Sequence, residues 1–318
     1  MHPNKIFKGL MLPFLVAGLF AQLPNRIVST GYDVPAYAVI ASGQVTTLFV
    51  RGLQVPDAVA TGAPWPGSLS GIVVRVRGGI PNYPDRLPIF RVRSYDWCGG
   101  RVTPACPLTE IMVQIPTEPT CVITGTIPNE CLGPSRTVIL VVEENGVPGQ
   151  EFPVIVVSSN PHFLNACDTV VAGSGFCYPL ITHGDGSLVT GFEGRPAKPG
   201  ETIVVYALGL GSTRPIVKTG ETTPIPAPVI DAPLYPLLIH HRLQVIWAAA
   251  EQRVIPEFVG LVPGQVGLYQ MNVRLPEALP DRAHRCLGGF DANTRITLGD
   301  GSNASFGGRT SIEFCVAP

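Results

Sequence analysis

Short runs of β-branched and aromatic residues alternate along the chain with segments rich in glycine and proline. The clearest runs are 45–50, 71–76, 110–115, 138–142, 152–157, 203–208, 243–247 and 269–275. Such runs are typical of β-strands. Between them lie Asn145-Gly146, Asp185-Gly186 and Asp300-Gly301, dipeptides that suit tight hairpin turns. After residue 21 no segment keeps a 3.6-residue apolar period over about 12 residues, so the pattern predicts an all-β fold with almost no helix.

Two pieces of the first half of the chain reappear, in the same order, in the second half. Residues 42–53 match residues 199–210, which lie 157 positions further on, and residues 113–116 match residues 273–276, which lie 160 positions further on. Strands share composition, so chance similarity is the alternative. The common offset favours a duplicated module of about 150 residues with about seven strands per copy, the number expected of an immunoglobulin-like sandwich. We therefore predict two tandem immunoglobulin-like β-sandwich domains, residues 22–158 and 159–318.

Residues 1–21 have the features of a secretory signal peptide. Lys5 and Lys8 precede an apolar run that ends at Ala21, and no acidic residue interrupts it. The run is shorter than the roughly 20 residues that a membrane helix needs, and no later stretch is apolar enough, so we expect no transmembrane segment in the mature chain. A buried N-terminal helix and a retained anchor are the alternatives. The sequence thus predicts a secreted or cell-surface protein.

The chain contains eight cysteines, and an even number behind an export signal indicates disulfides. Sequence cannot decide the connectivity, but spacing favours the four pairs Cys98–Cys106, Cys121–Cys131, Cys167–Cys177 and Cys286–Cys315. Zinc is the competing interpretation. It is disfavoured because no Cys-x-x-Cys occurs and no histidine stands at ligand spacing from a cysteine pair.

The segments 185–190, 197–211 and 266–276 resemble a module that is common in secreted acidobacterial proteins, the uncharacterised C-terminal domain family first described from Solibacter. The resemblance implies paired immunoglobulin-like or transcription-factor-immunoglobulin-like sandwiches, and it implies no activity. The cysteine-bearing loops around 98–131 and 167–177 depart from the family pattern. We also expect the module to be the whole exported product here, which argues against a spacer role.

Composition narrows the function further. The 22 lysines and arginines nearly balance the 23 aspartates and glutamates, and charged residues make up only 14% of the chain. A nucleic-acid binder needs a basic stripe, so nucleic acid is not an expected partner. The 45% of hydrophobic residues is enough to build a core and argues against disorder.

Few residues suggest chemistry. His183 and Asp185 lie in a glycine-rich segment that is better explained as a hairpin loop, and His240 and His241 would point to opposite sides of a strand. The segment 300–303 lacks the alternating ligands of a calcium loop. We expect no cofactor, no metal and no enzymatic activity, although dispersed carboxylates of a hydrolase remain an alternative.

Exposed aromatic residues offer a second hypothesis. Trp65 lies in a proline-bounded loop, and Tyr83 and Tyr95 follow it, so the three are candidate contacts for a carbohydrate or peptide. The leading hypothesis is a non-enzymatic structural or adhesive protein, in one form a self-assembling subunit of an extracellular filament or surface layer. Its partner would be itself, through sheet edges or the extended segment 23–37, or another surface protein or glycan.

Overall fold

The computed structural model of the chain describes residues 24–32, 35–36, 39–77, 84–96, 107–117, 136–168, 177–191, 194–231, 236–243, 246–286, 291–298 and 309–317. These residues form strands and connecting turns and contain no helix, which confirms the all-β prediction. Accordingly, no helix among them is long and apolar enough to cross a membrane. Below, residues up to 158 are called the first half and later residues the second half.

The strands of the first half form two sheets. Their bounds are β1 Arg26–Gly31, β2 Val39–Ala41, β3 Val45–Arg51, β4 Ala58–Val59, β5 Ile72–Arg77, β6 Ile89–Asp96, β7 Pro107–Gln114, β8 Arg136–Glu144, β9 Val147–Pro148 and β10 Phe152–Val157. One sheet has the order β1-β3-β7-β6-β4, and the other has the order β2-β10-β8-β5 with β9 paired to β8. The pair β2–β10 is parallel, and the other pairs of these strands are antiparallel.

The second half repeats this plan. Its strands are β11 His162–Phe163, β12 Ile181–Thr182, β13 Thr202–Leu208, β14 Thr213–Arg214, β15 Val229–Ile230, β16 Leu237–Leu243, β17 Ile246–Val254, β18 Phe258–Leu261, β19 Tyr269–Arg274, β20 Thr294–Leu298 and β21 Ser311–Phe314. One sheet has the order β11-β13-β19-β18-β15-β14 with β12 paired to β13, and the other has the order β17-β16-β20-β21. All pairs of these strands are antiparallel.

Each half has its own hydrophobic core between its two sheets. In the first half, Leu48 and Val113 of one sheet and Val74 and Leu140 of the other are fully buried in one cluster. The corresponding cluster of the second half joins Ile203, Met271, Ile239 and Ile296. Alternate side chains along each strand point into these clusters, because successive residues of a strand face opposite ways. The arrangement is consistent with a β-sandwich in each half.

The internal repeat is visible in strand register. In the first half Val45 pairs with Gln114, and in the second half Thr202 pairs with Arg274. Thr202 lies 157 positions after Val45, and Arg274 lies 160 positions after Gln114. These distances are the offsets of the two sequence matches. The matched segments therefore form equivalent neighbouring strands in the two halves.

The turn that precedes each of these strands is repeated as well. Gln44 accepts a hydrogen bond from the amide of Ala41 through its side-chain oxygen at 2.6 Å, and Glu201 accepts one from the amide of Lys198 at 2.8 Å. Residue 44 corresponds to residue 201 at the offset of 157. A side chain that caps its own turn in this way holds the strand start in register.

Residues 26–31 of the N-terminal segment 23–37 form β1 and pair with β3. β1 lies at the edge of its sheet, so the addition of this segment to a neighbouring chain's sheet stays a prediction. Ile27 is buried in the core of the first half, and Tyr32, which is 3% exposed, is buried in a separate apolar cluster. The strand is therefore an intrinsic part of the first half.

Sheet edges differ in how well they are covered. Residues 85–87 cover the outer side of β5, where Leu87 donates to the carbonyl of Val74 at 2.9 Å. Ala197 donates to the carbonyl of Cys315 at 3.0 Å, just beyond the end of β21. Strand β17 is nine residues long and pairs with β16 alone among the described residues. The register of this pair shifts between Ile239 and His241 of β16. Strand β17 is the longest edge strand of the described chain.

Two disulfides lie within the described residues. Cys167 bonds to Cys177, and Cys286 bonds to Cys315. Both are pairs that the sequence spacing favours. The cysteines at 98, 106, 121 and 131 lie outside the described residues.

One close approach in the fold can be tested with alanine. Gly209 (φ +69°) follows β13, and a Cβ there would lie 2.3 Å from the carbonyl oxygen of Asn160, whereas Gly186 (φ +83°) has nothing within 4 Å. Both alanine variants lose about 1 kcal/mol to left-handed backbone strain. We expect Gly209→Ala to lose about 2 kcal/mol more in denaturant unfolding, because the backbone at Asn160 must move. Equal losses in the two variants would contradict the close approach.

Candidate functional site

The predicted aromatic contacts are partly enclosed. Trp65 is half-buried, its ring lies 4.9 Å from the ring of Phe90, and its amide donates to the carbonyl of Gly220 at 3.0 Å. Tyr95 is half-buried beside Phe49, with 5.5 Å between ring centroids. Tyr83 lies outside the described residues. The structure therefore does not bring Trp65 and Tyr95 together on one open surface, and it uses Trp65 to bridge the two halves.

The side chains between the halves form a third apolar cluster, which we call the joint. Its buried members are Tyr32, Val45 and Met112 from the first half and Leu164 and Leu208 from the second. Half-buried Trp65, Phe90, Leu180, Tyr206 and Leu268 pack against them. Val45 and Met112 point away from the core of the first half, so the joint covers the outer face of the β3–β7 pair.

Polar contacts cross the joint beside this cluster. Thr117 donates from its amide to the hydroxyl of Thr219 at 2.9 Å and from its own hydroxyl to the carbonyl of Val217 at 2.5 Å. The amide of Gly220 donates to Gln114 Oε1 at 2.5 Å. Buried hydrogen bonds are directional, so these contacts fix the relative position of the halves as well as stabilising it.

An aromatic stack forms the other side of the joint. The ring of Tyr32 lies 3.7 Å from the ring of His162, with 13° between their planes. The Tyr32 hydroxyl accepts a hydrogen bond from the side-chain amide of Gln44. Burial raises the pKa of Tyr32 above its usual value, so the phenol is neutral across the physiological range.

His162 is held by two partners in the second half. Its Nε2 lies 2.9 Å from Asp168 Oδ2, and its Nδ1 lies 2.8 Å from the backbone nitrogen of Arg309. A backbone N–H can only donate, so Nδ1 accepts and Nε2 carries the proton. Arg309 also lies within 3.2 Å of the Asp168 carboxylate. With both ring nitrogens engaged, His162 serves to position the stack with Tyr32.

The histidine and aspartate of the predicted hairpin loop are likewise engaged. His183 Nδ1 lies 2.5 Å from Glu201 Oε1, and its Nε2 lies 3.2 Å from the carbonyl oxygen of Arg195. Asp185 accepts hydrogen bonds from the hydroxyl and amide of Ser187, which together with Arg195 lower its pKa to about 2. This is the pattern of an Asx-stabilised turn.

The two adjacent histidines lie on opposite faces of β16, as strand alternation requires. His241 is buried and its Nδ1 lies 3.2 Å from the hydroxyl of Thr294, while His240 is only half-buried. Burial, with a smaller contribution from His240, lowers the pKa of His241. Within the described part of the chain, no group of three His, Cys, Asp or Glu side chains is arranged to hold a metal ion.

The sequence does not predict a buried ion-pair cluster that lies on β6 and β7. Glu110 is 1% exposed, and its Oε2 accepts from Arg93 Nε at 2.9 Å and Nη2 at 2.6 Å. Its Oε1 and the Nη2 atom of Arg91 are buried without a hydrogen-bond partner. Burial raises the pKa of Glu110 against the opposing effect of Arg93. Alternation places Glu110 on the face opposite to the core, where the sequence alone suggests solvent.

A second cluster lies at the end of β16. Asp291 bridges His284 Nε2 at 2.6 Å and Arg242 Nη1 at 2.9 Å. Asn293 ties this region to the last strand, donating to the carbonyls of His284 and Val316. The arrangement fastens the C-terminal strand near the Cys286–Cys315 disulfide.

Shallow space is present beside the joint. The recess borders Gly43, Thr117, Gly211, Ile216 and Tyr269 and holds about one water molecule. It is too small for a sugar ring or a peptide side chain. No family model and no curated protein matches the chain.

The hydrogen bonds of Thr117 provide a test of the joint. Thr117→Val keeps the shape but removes the hydroxyl, leaving the Val217 carbonyl without this donor, and we expect a loss of about 1–2 kcal/mol in the free energy of unfolding. Thr202→Val removes an exposed hydroxyl that donates to Glu257 at 3.2 Å and is the matched control. We expect the control to change stability by less than about 0.5 kcal/mol. Equal free energies of unfolding for Thr117→Val and Thr202→Val in chemical denaturation would show that the Thr117 contact across the joint is weak.

The pH dependence of stability tests the buried glutamate. Because burial raises the pKa of Glu110 above its unfolded value, its proton is bound more tightly in the folded chain. Stability is therefore greatest below the unfolded pKa and is lost as pH rises through the folded pKa. Relative to Glu110→Gln, we expect the wild type to lose unfolding free energy as pH rises above the ordinary glutamate pKa of about 4.3. A flat difference for Glu110→Gln would refute this.

Proposed function

We propose that the chain is a non-enzymatic structural or adhesive protein of the extracellular space, built from two tandem immunoglobulin-like sandwiches of the Solibacter-type module. In this proposal it is exported by residues 1–21 and assembles with copies of itself. In this proposal the two halves of the exported protein form one rigid body, which interacts with other molecules through its surface.

The observation that carries the proposal is the joint. Apolar side chains, the Tyr32–His162 stack and the hydrogen bonds of Thr117 and Gln114 tie the halves together. Flexibly linked domains usually meet through small polar interfaces. A protein that bears load or spaces other molecules needs its domains held in one orientation, and this joint supplies such a restraint.

The engaged histidines agree with a role of this kind. His162 and His183 each have both ring nitrogens within hydrogen-bond distance of a partner, which uses them as structural ties. The two disulfides close short and intermediate loops and raise resistance to unfolding outside the cell.

Self-association draws its support from β17. The strand pairs with β16 on one side, and its other side presents backbone donors and acceptors within the described chain. Edge strands of this length are suited to pairing with another chain, although the register shift opposite His240 divides the strand into two stretches. β17 is the longest edge strand among the described residues, so the proposal assigns assembly to this edge.

Electron microscopy of the exported protein, purified from the cell surface without reductant, tests the proposal. We expect regular filaments or lattices, together with concentration-dependent sedimentation of the purified protein. The control is Thr202→Val, which should leave assembly unchanged because Thr202 lies outside the joint and not on β17. Dispersed monomers at all concentrations, with glycan-array binding that Trp65→Ala abolishes, would instead identify a carbohydrate-binding protein.

A further inference from the structure

The Cys167–Cys177 disulfide connects two paired segments that both contribute side chains to the joint. Segments 164–168 and 177–180 pair, with Leu180 donating to the carbonyl of Leu164 at 3.0 Å and Ala166 donating to that of Tyr178 at 2.9 Å. Leu164 and Leu180 are both members of the joint. The disulfide joins the ends of these two segments, so it holds both leucines in one geometry.

The residue next to Cys167 holds the histidine of the stack. Asp168 Oδ2 accepts from the amide of Asn165 at 2.8 Å and lies 2.9 Å from His162 Nε2. The side chain of Asn165 in turn accepts from the amide of Cys167 at 3.0 Å. A short chain of contacts therefore runs from the disulfide through Asp168 to His162, whose ring lies on Tyr32 of the other half.

The two described disulfides differ in how easily a reductant reaches them. Cys177 is exposed and Cys167 is half-buried, whereas in the other disulfide Cys286 is half-buried and Cys315 is 5% exposed. Thiol–disulfide exchange requires direct approach of a thiolate to a sulfur atom. A small dithiol therefore reaches Cys167–Cys177 before Cys286–Cys315.

We propose that Cys167–Cys177 is a redox latch of the joint: its closure fixes the halves, and its reduction loosens them. On closure, the two thiols lose two protons and two electrons to a protein disulfide of the export compartment, which becomes a dithiol. On opening, a dithiol reductant attacks one sulfur, the S–S bond breaks, and the reductant leaves as its cyclic disulfide. The chain is thus loose before export and fixed after it. This inference concerns the joint alone, so it does not depend on the proposed assembly.

Hydrogen–deuterium exchange on the full chain tests the latch at two amides that cross the joint. The amide of Gly220 donates to Gln114, and the amide of Thr117 donates to Thr219. In the double variant Cys167→Ser/Cys177→Ser we expect these amides to exchange about tenfold faster, with core amides of β8 and β19 unchanged. The matched control, Cys286→Ser/Cys315→Ser, removes a disulfide away from the joint and should leave both amides at their wild-type rates.

Two results overturn the latch. One is an unchanged exchange rate at Gly220 and Thr117 in the Cys167→Ser/Cys177→Ser variant. The other is an equal acceleration in both double variants or throughout the cores, which would indicate general destabilisation. Asp168→Asn provides a second route that keeps the disulfide, because it weakens the contacts with Arg309 and His162. Asp168→Asn should also accelerate exchange at the amides of Gly220 and Thr117. Wild-type exchange rates at these amides would show that the contacts of Asp168 do not connect the disulfide to the joint.

Discussion

The two-sided burial of strand β7 is the constraint around which the molecule is arranged. Residues 108–114 are buried on both faces, although only one face points into the core of the first half. The other face carries polar groups, and a buried polar group must find a partner inside the protein. Gln114 Oε1 accepts from the amide of Gly220 in the second half, whereas Glu110 Oε2 accepts from Arg93 within the first half. The second half therefore has to lie where it can complete the bond with Gln114.

Two kinds of contact in the joint satisfy this constraint. Apolar side chains bury surface area, which stabilises the contact between the halves but does not fix their relative position. The hydrogen bonds of Thr117 and Gln114, and the stack of Tyr32 on His162, tolerate little displacement and so select one arrangement. His162 can act in this way because Asp168 and the backbone of Arg309 fix its tautomer and its plane. Loss of any member is felt by the others, since the group is buried as a whole.

The sequence predicted those parts of the structure that depend on local pattern. Runs of β-branched and aromatic residues predicted strands such as β3, β13 and β19, and the two sequence matches at nearly one offset predicted a duplicated module. Sequence could not predict that Glu110, Gln114 and Thr47 are buried, because alternation alone places them on a solvent face. It also could not show that residues 26–31 pair with β3, because an extended segment looks the same whether it pairs within its own sheet or with a neighbour. Both features depend on contacts between distant parts of the chain, which no local pattern records.

The equivalence of the two halves has a consequence for how such modules multiply. The joint brings the outer face of the β3–β7 pair against residues 206–208 at the end of β13, the strand equivalent to β3. Val45 lies at the start of β3, whereas Tyr206 and Leu208 lie at the end of β13, so the two halves contribute opposite ends of equivalent strands. Such a contact is head-to-tail rather than two-fold. Thr202, which is equivalent to Val45, lies outside the joint, so the joint by itself does not limit modules of this kind to two copies.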